Sequence, residues 1–188
     1  MARAIASAGG TANQVTVLAA IGSAVVGALI YVYPAASWPL LLVGPWLFVR
    51  MALNAIDGML AREHDQKSAL GGVLNELTDV LSDAALYLPF ACVAGFGPVL
   101  IVLVVFLATL TEMTGVICVQ IGASRRYDGP FGKSDRAFAF GAMGLIVGLT
   151  GSSGAWINWL LAAMIVLLVL TVLNRARNGL SEVTRRRA

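Results

Sequence analysis

The sequence predicts an all-α integral membrane protein with six transmembrane helices and with both termini in the cytoplasm. Hydrophobic residues make up 59% of the chain and charged residues only 12%, which is far more apolar than a soluble domain of this size. The apolar residues fall in long runs, and a spanning helix needs roughly 20 of them. Basic residues occur on alternate connections between these runs, and this asymmetry predicts the orientation.

The apolar runs define six predicted helices, separated by connections rich in Gly, Pro and Ser. Their ranges are 14–33, 38–62, 69–94, 98–123, 134–151 and 154–175. The third run is strongly apolar only over 84–94, so it reaches spanning length only if the polar stretch before it is also embedded. Thr11 or Asn13 is the expected N-cap of the first helix. We therefore divide the chain into a short cytoplasmic segment (1–13), a six-helix transmembrane domain (14–175) and a basic cytoplasmic tail (176–188).

Lysine and arginine mark one side of the predicted membrane. The connections at 33–39, 95–98 and 151–154 contain neither residue, and every basic residue except Arg50 lies in or beside the segments on the other side. Because basic loops remain in the cytoplasm, we expect a multi-pass protein of the cell's inner (cytoplasmic) membrane whose polar motif faces the cytoplasm. The arginines at 185–187 are expected to contact anionic lipids.

Polar and small residues interrupt the second and third predicted helices at helical spacing. One face of the second helix carries Asn54, Asp57, Gly58, Ala61 and Arg62, and one face of the third carries Gly71, Asn75 and Asp79. Because a short loop joins the two helices, these faces are expected to meet at the cytoplasmic boundary. Carboxylate and amide oxygens suit Mg²⁺ or Mn²⁺, and Arg62 can neutralise a phosphate. The alternative is that the small residues serve only close helix packing.

This pattern resembles the signature of the CDP-alcohol phosphotransferases, D-x2-D-G-x2-A-R-x8-G-x3-D-x3-D. Six of its eight positions match with the same spacing, and Asn54 and Asn75 stand where the family has its first and third Asp. The six-helix plan and the polar residues at 11–16 are similar as well. The resemblance implies transfer of a substituted phosphate from a CDP-linked lipid, such as CDP-diacylglycerol, to an alcohol, with release of CMP, in phospholipid biosynthesis. It also implies a homodimer.

The resemblance further implies which residues form the site. The four acidic positions of the family hold two divalent metal ions, which assigns Asn54, Asp57, Asn75 and Asp79 to metal, and the last position makes Asp79 the base for the acceptor hydroxyl. The residues implied for the nucleotide are Asp57, Gly58, Ala61, Arg62, Gly71 and Asn75.

Because amides replace two carboxylates, three outcomes are open: weaker binding of two ions, binding of one ion, or a non-catalytic homologue that binds CDP-lipid or has a structural role. Retained catalysis is our preferred interpretation, since Asp57 and Asp79 persist.

Three further charges lie at one depth in the predicted bundle. Arg50, Asp83 and Glu112 are each roughly 18–20 Å from the cytoplasmic end of their helix, at 1.5 Å rise per residue. One interpretation is that Arg50 pairs with Asp83, Glu112 or both and locks the bundle. The other is that Arg50 faces the site and tunes the metal or the acceptor. Glu76, together with Asp83, is expected to restore part of the missing negative charge.

The segment 124–136 concentrates four basic residues beside Gly and Ser. These are Arg125, Arg126, Lys133 and Arg136, and such a group suits a phosphate. In the resembled family this region helps to hold the lipid phosphate or a phosphorylated acceptor. The alternative is ordinary contact with anionic lipids. The sequence does not identify the alcohol acceptor, phosphorylated or not, and we expect no nucleic-acid partner.

Overall fold

The structure, a computed structural model, describes residues 2–7, 9–63 and 66–187. Within these residues the chain is helical and contains no strand, as predicted. The helices are α1 (Ala2–Ser7), α2 (Ala12–Val32), α3 (Trp38–Leu41), α4 (Val43–Glu63), α5 (Ala69–Tyr87), α6 (Pro98–Gln120), α7 (Lys133–Thr150) and α8 (Trp156–Arg187). The six longest of them correspond to the six predicted helices.

Local capping signals explain where the long helices begin. The Thr11 hydroxyl accepts a hydrogen bond from the Gln14 N–H, and the Gln14 side chain accepts one from the Thr11 N–H. This capping box confirms Thr11 as the cap of α2. The Ser68 hydroxyl accepts the Gly71 N–H at the start of α5. Pro98 occupies the first position of α6, where its missing N–H costs no helical hydrogen bond.

Four segments of the described chain are long and apolar enough to cross a membrane. They are α2, the stretch Trp38–Glu63 that contains α3 and α4, α6, and the stretch Trp156–Arg186 of α8. The other two predicted spans are more polar, because α5 and α7 each carry three charged residues. The total of six spans therefore stays a prediction.

Two helices end more than one turn away from their predicted ends. α5 ends at Tyr87 rather than at 94, because Pro89 cannot donate a backbone hydrogen bond and the chain continues as a short 3₁₀ helix, Leu88–Cys92. α8 continues to Arg187, so most of the predicted basic tail is an extension of the last helix.

Close packing of α2, α4, α5 and α7 holds the motif helices in place. A Cβ atom at Gly27 would lie 1.9 Å from the backbone oxygen of Ala85, so this glycine allows the backbones of α2 and α5 to approach each other. In the core, the rings of Tyr87 and Phe140 stack at 4.0 Å, which joins α5 to α7. These contacts set the positions from which α4, α5 and α7 present their polar residues.

The connection between α6 and α7 is tied to α8 by charged hydrogen bonds. Arg126 donates to the Glu182 carboxylate at 2.6 Å. Arg175 donates to the backbone oxygens of Thr111 and Asp128 at 2.6 and 3.1 Å. The long α8 therefore fixes this connection, which lies beside the site described next.

Candidate functional site

The polar faces of α4 and α5 meet, as predicted, around a cavity of about 480 Å³, here called the motif cavity. Its lining includes Asn54 and every residue that the resemblance implied for a nucleotide, namely Asp57, Gly58, Ala61, Arg62, Gly71 and Asn75. α2 and the segment before α5 complete the wall with Asn13, Thr16, Gln66, Lys67 and Ser68, among others. The lining therefore combines one acidic residue, Asp57, with two basic ones, Arg62 and Lys67.

Asp57 is held by a hydrogen bond that the sequence motif does not indicate. Its carboxylate is 7% exposed and accepts a hydrogen bond of 2.8 Å from the Thr16 hydroxyl on α2. Thr16 belongs to the polar residues at 11–16, at the start of the first apolar run, and this is the sequence signal for it. A Cβ atom at Gly58 would make an ordinary contact of 3.4 Å with the guanidinium of Arg62, one turn further along α4.

Asp79 lies beside the motif cavity and is surrounded by groups that compensate its charge. Lys133 Nζ is 2.5 Å from Asp79 Oδ1, and Arg50 Nη2 is 3.7 Å from the same oxygen. The Asn54 amide donates a longer hydrogen bond of 3.4 Å to it. An Asp at position 54 would place a second carboxylate against this oxygen, whereas the amide of Asn54 makes the contact attractive.

Two further cavities adjoin the first. A polar cavity of about 260 Å³, here called the acceptor cavity, is lined by Asn75, Asp79, Arg125 and Lys133, among others. A third cavity of about 220 Å³ lies between α4, α5 and α7 and is here called the apolar cavity, because most of its lining surface is apolar. Charged side chains line it as well, namely Arg50, Asp83 and Lys133. Asn75 lines both the motif and the acceptor cavity, and Lys133 lines both the acceptor and the apolar cavity. Asp79 lines the acceptor cavity and contacts Asn54 and Lys133, through which the other two cavities adjoin it.

Of the four basic residues at 124–136, Arg125 and Lys133 line the acceptor cavity. Arg125 donates from Nε and Nη2 to the two oxygens of Glu76, at 2.9 and 2.7 Å, and from Nη2 to Glu112 at 3.2 Å. Burial lowers the pKa of Arg125, but its bonds to Glu76 and Glu112 outweigh this effect and raise the pKa, so the guanidinium keeps its charge. Gly115 makes room for it, since a Cβ there would lie 1.7 Å from Nη1.

The other two basic residues point elsewhere. Arg126 pairs with Glu182 on α8, as described above, and Arg136 is 1% exposed within the bundle. Arg136 donates to Asp83 at 3.1 Å and to Glu112 at 3.2 Å. Neither residue lines the acceptor cavity.

Arg50 and Asp83 form the ion pair that one interpretation of the sequence expected. Arg50 Nη1 lies 2.6 Å from Asp83 Oδ1, and both side chains are buried. Asp83 also holds Arg136, so two guanidinium groups share this carboxylate. Glu112 does not reach Arg50 but binds Arg136, Arg125 and Arg175 instead. Charges from α4, α5, α6, α7 and α8 thus form one connected network.

The four motif positions suit a hard divalent ion in their donor chemistry, because carboxylate and amide oxygens are the ligands that Mg²⁺ and Mn²⁺ prefer. Their negative charge is low, since only Asp57 and Asp79 are carboxylates. In the described part of the chain, no three Asp, Glu, His or Cys side chains cluster in a way that would hold a metal. An ion bound here would therefore depend on Asn54 and Asn75 for part of its coordination.

Comparison with known proteins defines the class to which this fold and site belong. The family model for CDP-alcohol phosphatidyltransferases matches residues 10–176. The chain belongs to this family.

Individual relatives agree with this assignment. Inner membrane protein YnbA of Escherichia coli (strain K12) is 45% identical over 170 residues, which cover 90% of this chain and 84% of that protein. The crystal structure of Mycobacterium tuberculosis phosphatidylinositol phosphate synthase (PgsA1) with CDP-DAG bound covers 97% of this chain and 90% of its own, with a TM-score of 0.74 and 18% identity. The PgsA1 structure with manganese and citrate covers 95% and 86%, with a TM-score of 0.79 and 17% identity. At such identities the two structures show a shared fold.

Proposed function

We propose that this protein transfers a phosphatidyl group from a CDP-linked lipid, such as CDP-diacylglycerol, to an alcohol and releases CMP. The observation that carries the proposal is the motif cavity, in which the family's nucleotide positions lie together beside Asp79. The CDP-DAG complex of PgsA1, which has the same fold, supports it.

The three cavities suggest a division of the substrates. The CDP group would occupy the motif cavity, where Arg62 and Lys67 face its diphosphate. The lipid tail would leave through the apolar cavity, and the alcohol would enter the acceptor cavity. In the transfer, the alcohol oxygen bonds to the phosphorus that bears the diacylglycerol, the bond from this phosphorus to the CMP oxygen breaks, and Asp79 accepts the hydroxyl proton. Lys133 and Arg50 hold the Asp79 carboxylate in place for this step.

We propose that one or two divalent ions, Mg²⁺ or Mn²⁺, assist this transfer. Asp57 and Asp79 would hold them together with the amide oxygens of Asn54 and Asn75. A bound ion would neutralise and orient the diphosphate. The complex of PgsA1 with manganese and citrate supports this proposal.

The pair of asparagines predicts a gain in metal affinity. Changing both Asn54→Asp and Asn75→Asp should tighten Mn²⁺ binding, because two negative charges return to a partly desolvated site. Isothermal titration calorimetry of the purified protein with Mn²⁺ measures the change. Gln120→Glu, an exposed position at the end of α6, adds a negative charge away from the site and should leave the affinity unaltered. An unaltered affinity in the double variant would show that the two amides are not metal ligands.

The activity itself is tested by CMP release. The purified full-length protein, incubated in mixed micelles with CDP-diacylglycerol, Mg²⁺ or Mn²⁺ and a panel of alcohols, should release CMP only when a suitable alcohol is present. A chelator should abolish the release. If CMP appears with no alcohol, or if no CMP appears with any alcohol and either ion, the proposed reaction is wrong.

The proposed function also includes a location in the membrane and an oligomeric state. The four apolar helices and the inner-membrane name of the 45% identical relative support a multi-pass membrane protein. We propose that the motif cavity faces the cytoplasm and that the protein is a homodimer in contact with anionic lipids.

The orientation of the motif cavity is tested by cysteine labelling. In a variant without Cys92 and Cys118, Gly58→Cys should react with an impermeant thiol reagent from the cytoplasmic side alone. Labelling from the outer face would refute the orientation.

A further inference from the structure

The acceptor cavity carries charges that compensate one another within its own walls. Its basic residues are Arg125, Lys133 and Arg175, and its acidic residues are Glu76, Asp79, Glu112 and Asp135. Three positive and four negative groups leave the lining with a formal charge of −1. A site that binds a phosphate group needs cationic donors that are available to it.

Both arginines of this cavity already use all their nitrogens. Arg125 Nε and Nη2 donate to Glu76, Nη2 also reaches Glu112, and Nη1 donates to the Glu112 backbone oxygen at 3.1 Å. The three nitrogens of Arg175 donate to the backbone oxygens of Asp128, Thr111 and Tyr127. Neither guanidinium presents the unoccupied pair of N–H groups with which arginine binds a phosphate.

The remaining cation, Lys133, lies against Asp79 at 2.5 Å. A phosphate dianion in this cavity would also approach Glu76 and Asp135, two lining carboxylates that are not proposed metal ligands. Like charges a few ångströms apart repel each other strongly at a partly buried site. Hydroxyl groups meet no such repulsion, because they donate to carboxylate oxygens. The side chains of Glu76 and Asp79 are 39% and 27% exposed, so both carboxylates are accessible to a ligand.

We propose that the acceptor alcohol is a polyhydroxy compound that carries no phosphate group. The inference rests on the proposed function, since it names the substrate class of the same site. It decides between the two acceptor types that the basic segment 124–136 left open. The wall carboxylates accept hydrogen bonds from the acceptor's hydroxyl groups, and the ion pairs within the wall exclude an added phosphate.

Matched pairs of alcohols test the proposal by turnover. Glycerol is compared with glycerol 3-phosphate, and myo-inositol with its 1-phosphate, in the CMP-release assay. Because like charges would be placed together, kcat/KM for the unphosphorylated member of a productive pair should be higher by about 100-fold or more. A preference for the phosphorylated member in either pair overturns the proposal.

A binding measurement tests the same point without turnover. Equilibrium dialysis with radiolabelled glycerol 3-phosphate should show no specific binding to the wild-type protein at millimolar concentration. Glu76→Gln removes the main partner of Arg125 and makes this guanidinium available, so this variant should gain affinity by about tenfold or more, the size of a charge-assisted bond. Glu63→Gln makes the same charge change at an exposed position at the end of α4 and should behave as the wild type.

The two measurements separate a failure of the acceptor inference from a failure of the proposed function. Saturable binding of glycerol 3-phosphate to the wild type, equal to that of Glu76→Gln, overturns the acceptor inference and leaves the transfer reaction standing. Absence of CMP release with every alcohol overturns the proposed function. In that case the dialysis result still decides whether the cavity excludes phosphate.

Discussion

Replacing Asp79 with Asn is expected to reduce kcat for CMP release by about 100- to 10,000-fold, which is the usual contribution of a general base. The amide has the shape of the carboxylate but cannot accept the hydroxyl proton. The KM for CDP-diacylglycerol should also rise, because Asp79 is a proposed ligand of the ion that would neutralise the diphosphate. Initial rates at varied CDP-diacylglycerol and alcohol concentrations measure the two parameters separately.

A matched control separates this effect from a general loss of charge. Glu63→Gln removes one negative charge from an exposed position on the same side of the bundle and should retain wild-type rates. Both variants should show the thermal stability of the parent protein or close to it. If Asp79→Asn retains full activity, Asp79 is not the base.

Replacing Asp83 with Asn is expected to destabilise the folded protein by about 3–5 kcal/mol, the cost of removing one partner from a buried ion pair. Arg50 and Arg136 are 3% and 1% exposed, and both bind this carboxylate. Without it, two buried guanidinium groups keep fewer compensating charges. A thermal or denaturant unfolding series in detergent, monitored by size exclusion and circular dichroism, measures the loss.

Two further variants show whether the loss of stability comes from the buried ion pair and whether Arg50 has a structural role. Asp128→Asn weakens a partly exposed pair, in which Arg126 Nη1 lies 3.9 Å from the carboxylate, and should cost less than about 1 kcal/mol. Arg50→Leu distinguishes a structural lock from a role in the site. A fall in stability like that of Asp83→Asn supports the lock, whereas a stable but inactive protein assigns Arg50 to the site. Wild-type stability of Asp83→Asn would contradict the lock itself.

The sequence alone predicted the helical architecture and the group of residues that line the motif cavity. Apolar runs and breaker residues located all six long helices, because helix formation depends on neighbouring residues along the chain. Helical spacing placed Asp57 and Arg62 on one face of α4 and Gly71 and Asn75 on one face of α5. Because a short loop joins these two helices, the two faces were expected to meet. The motif spacing also predicted the family.

The tertiary structure alone decided which charges pair with each other. Arg125 and Glu76 are 49 residues apart, and their contact depends on the rotation and depth of helices that are not neighbours in the sequence. The basic segment 124–136 offered four candidate ligands for a phosphate, with contact to anionic lipids as the alternative. Packing turns Arg126 towards Glu182 on α8 and buries Arg136 against Asp83. The bond from Thr16 to Asp57 likewise requires α2 to lie against α4. Spacing along one helix determines which residues share a face, but only the packing of several helices determines what that face meets.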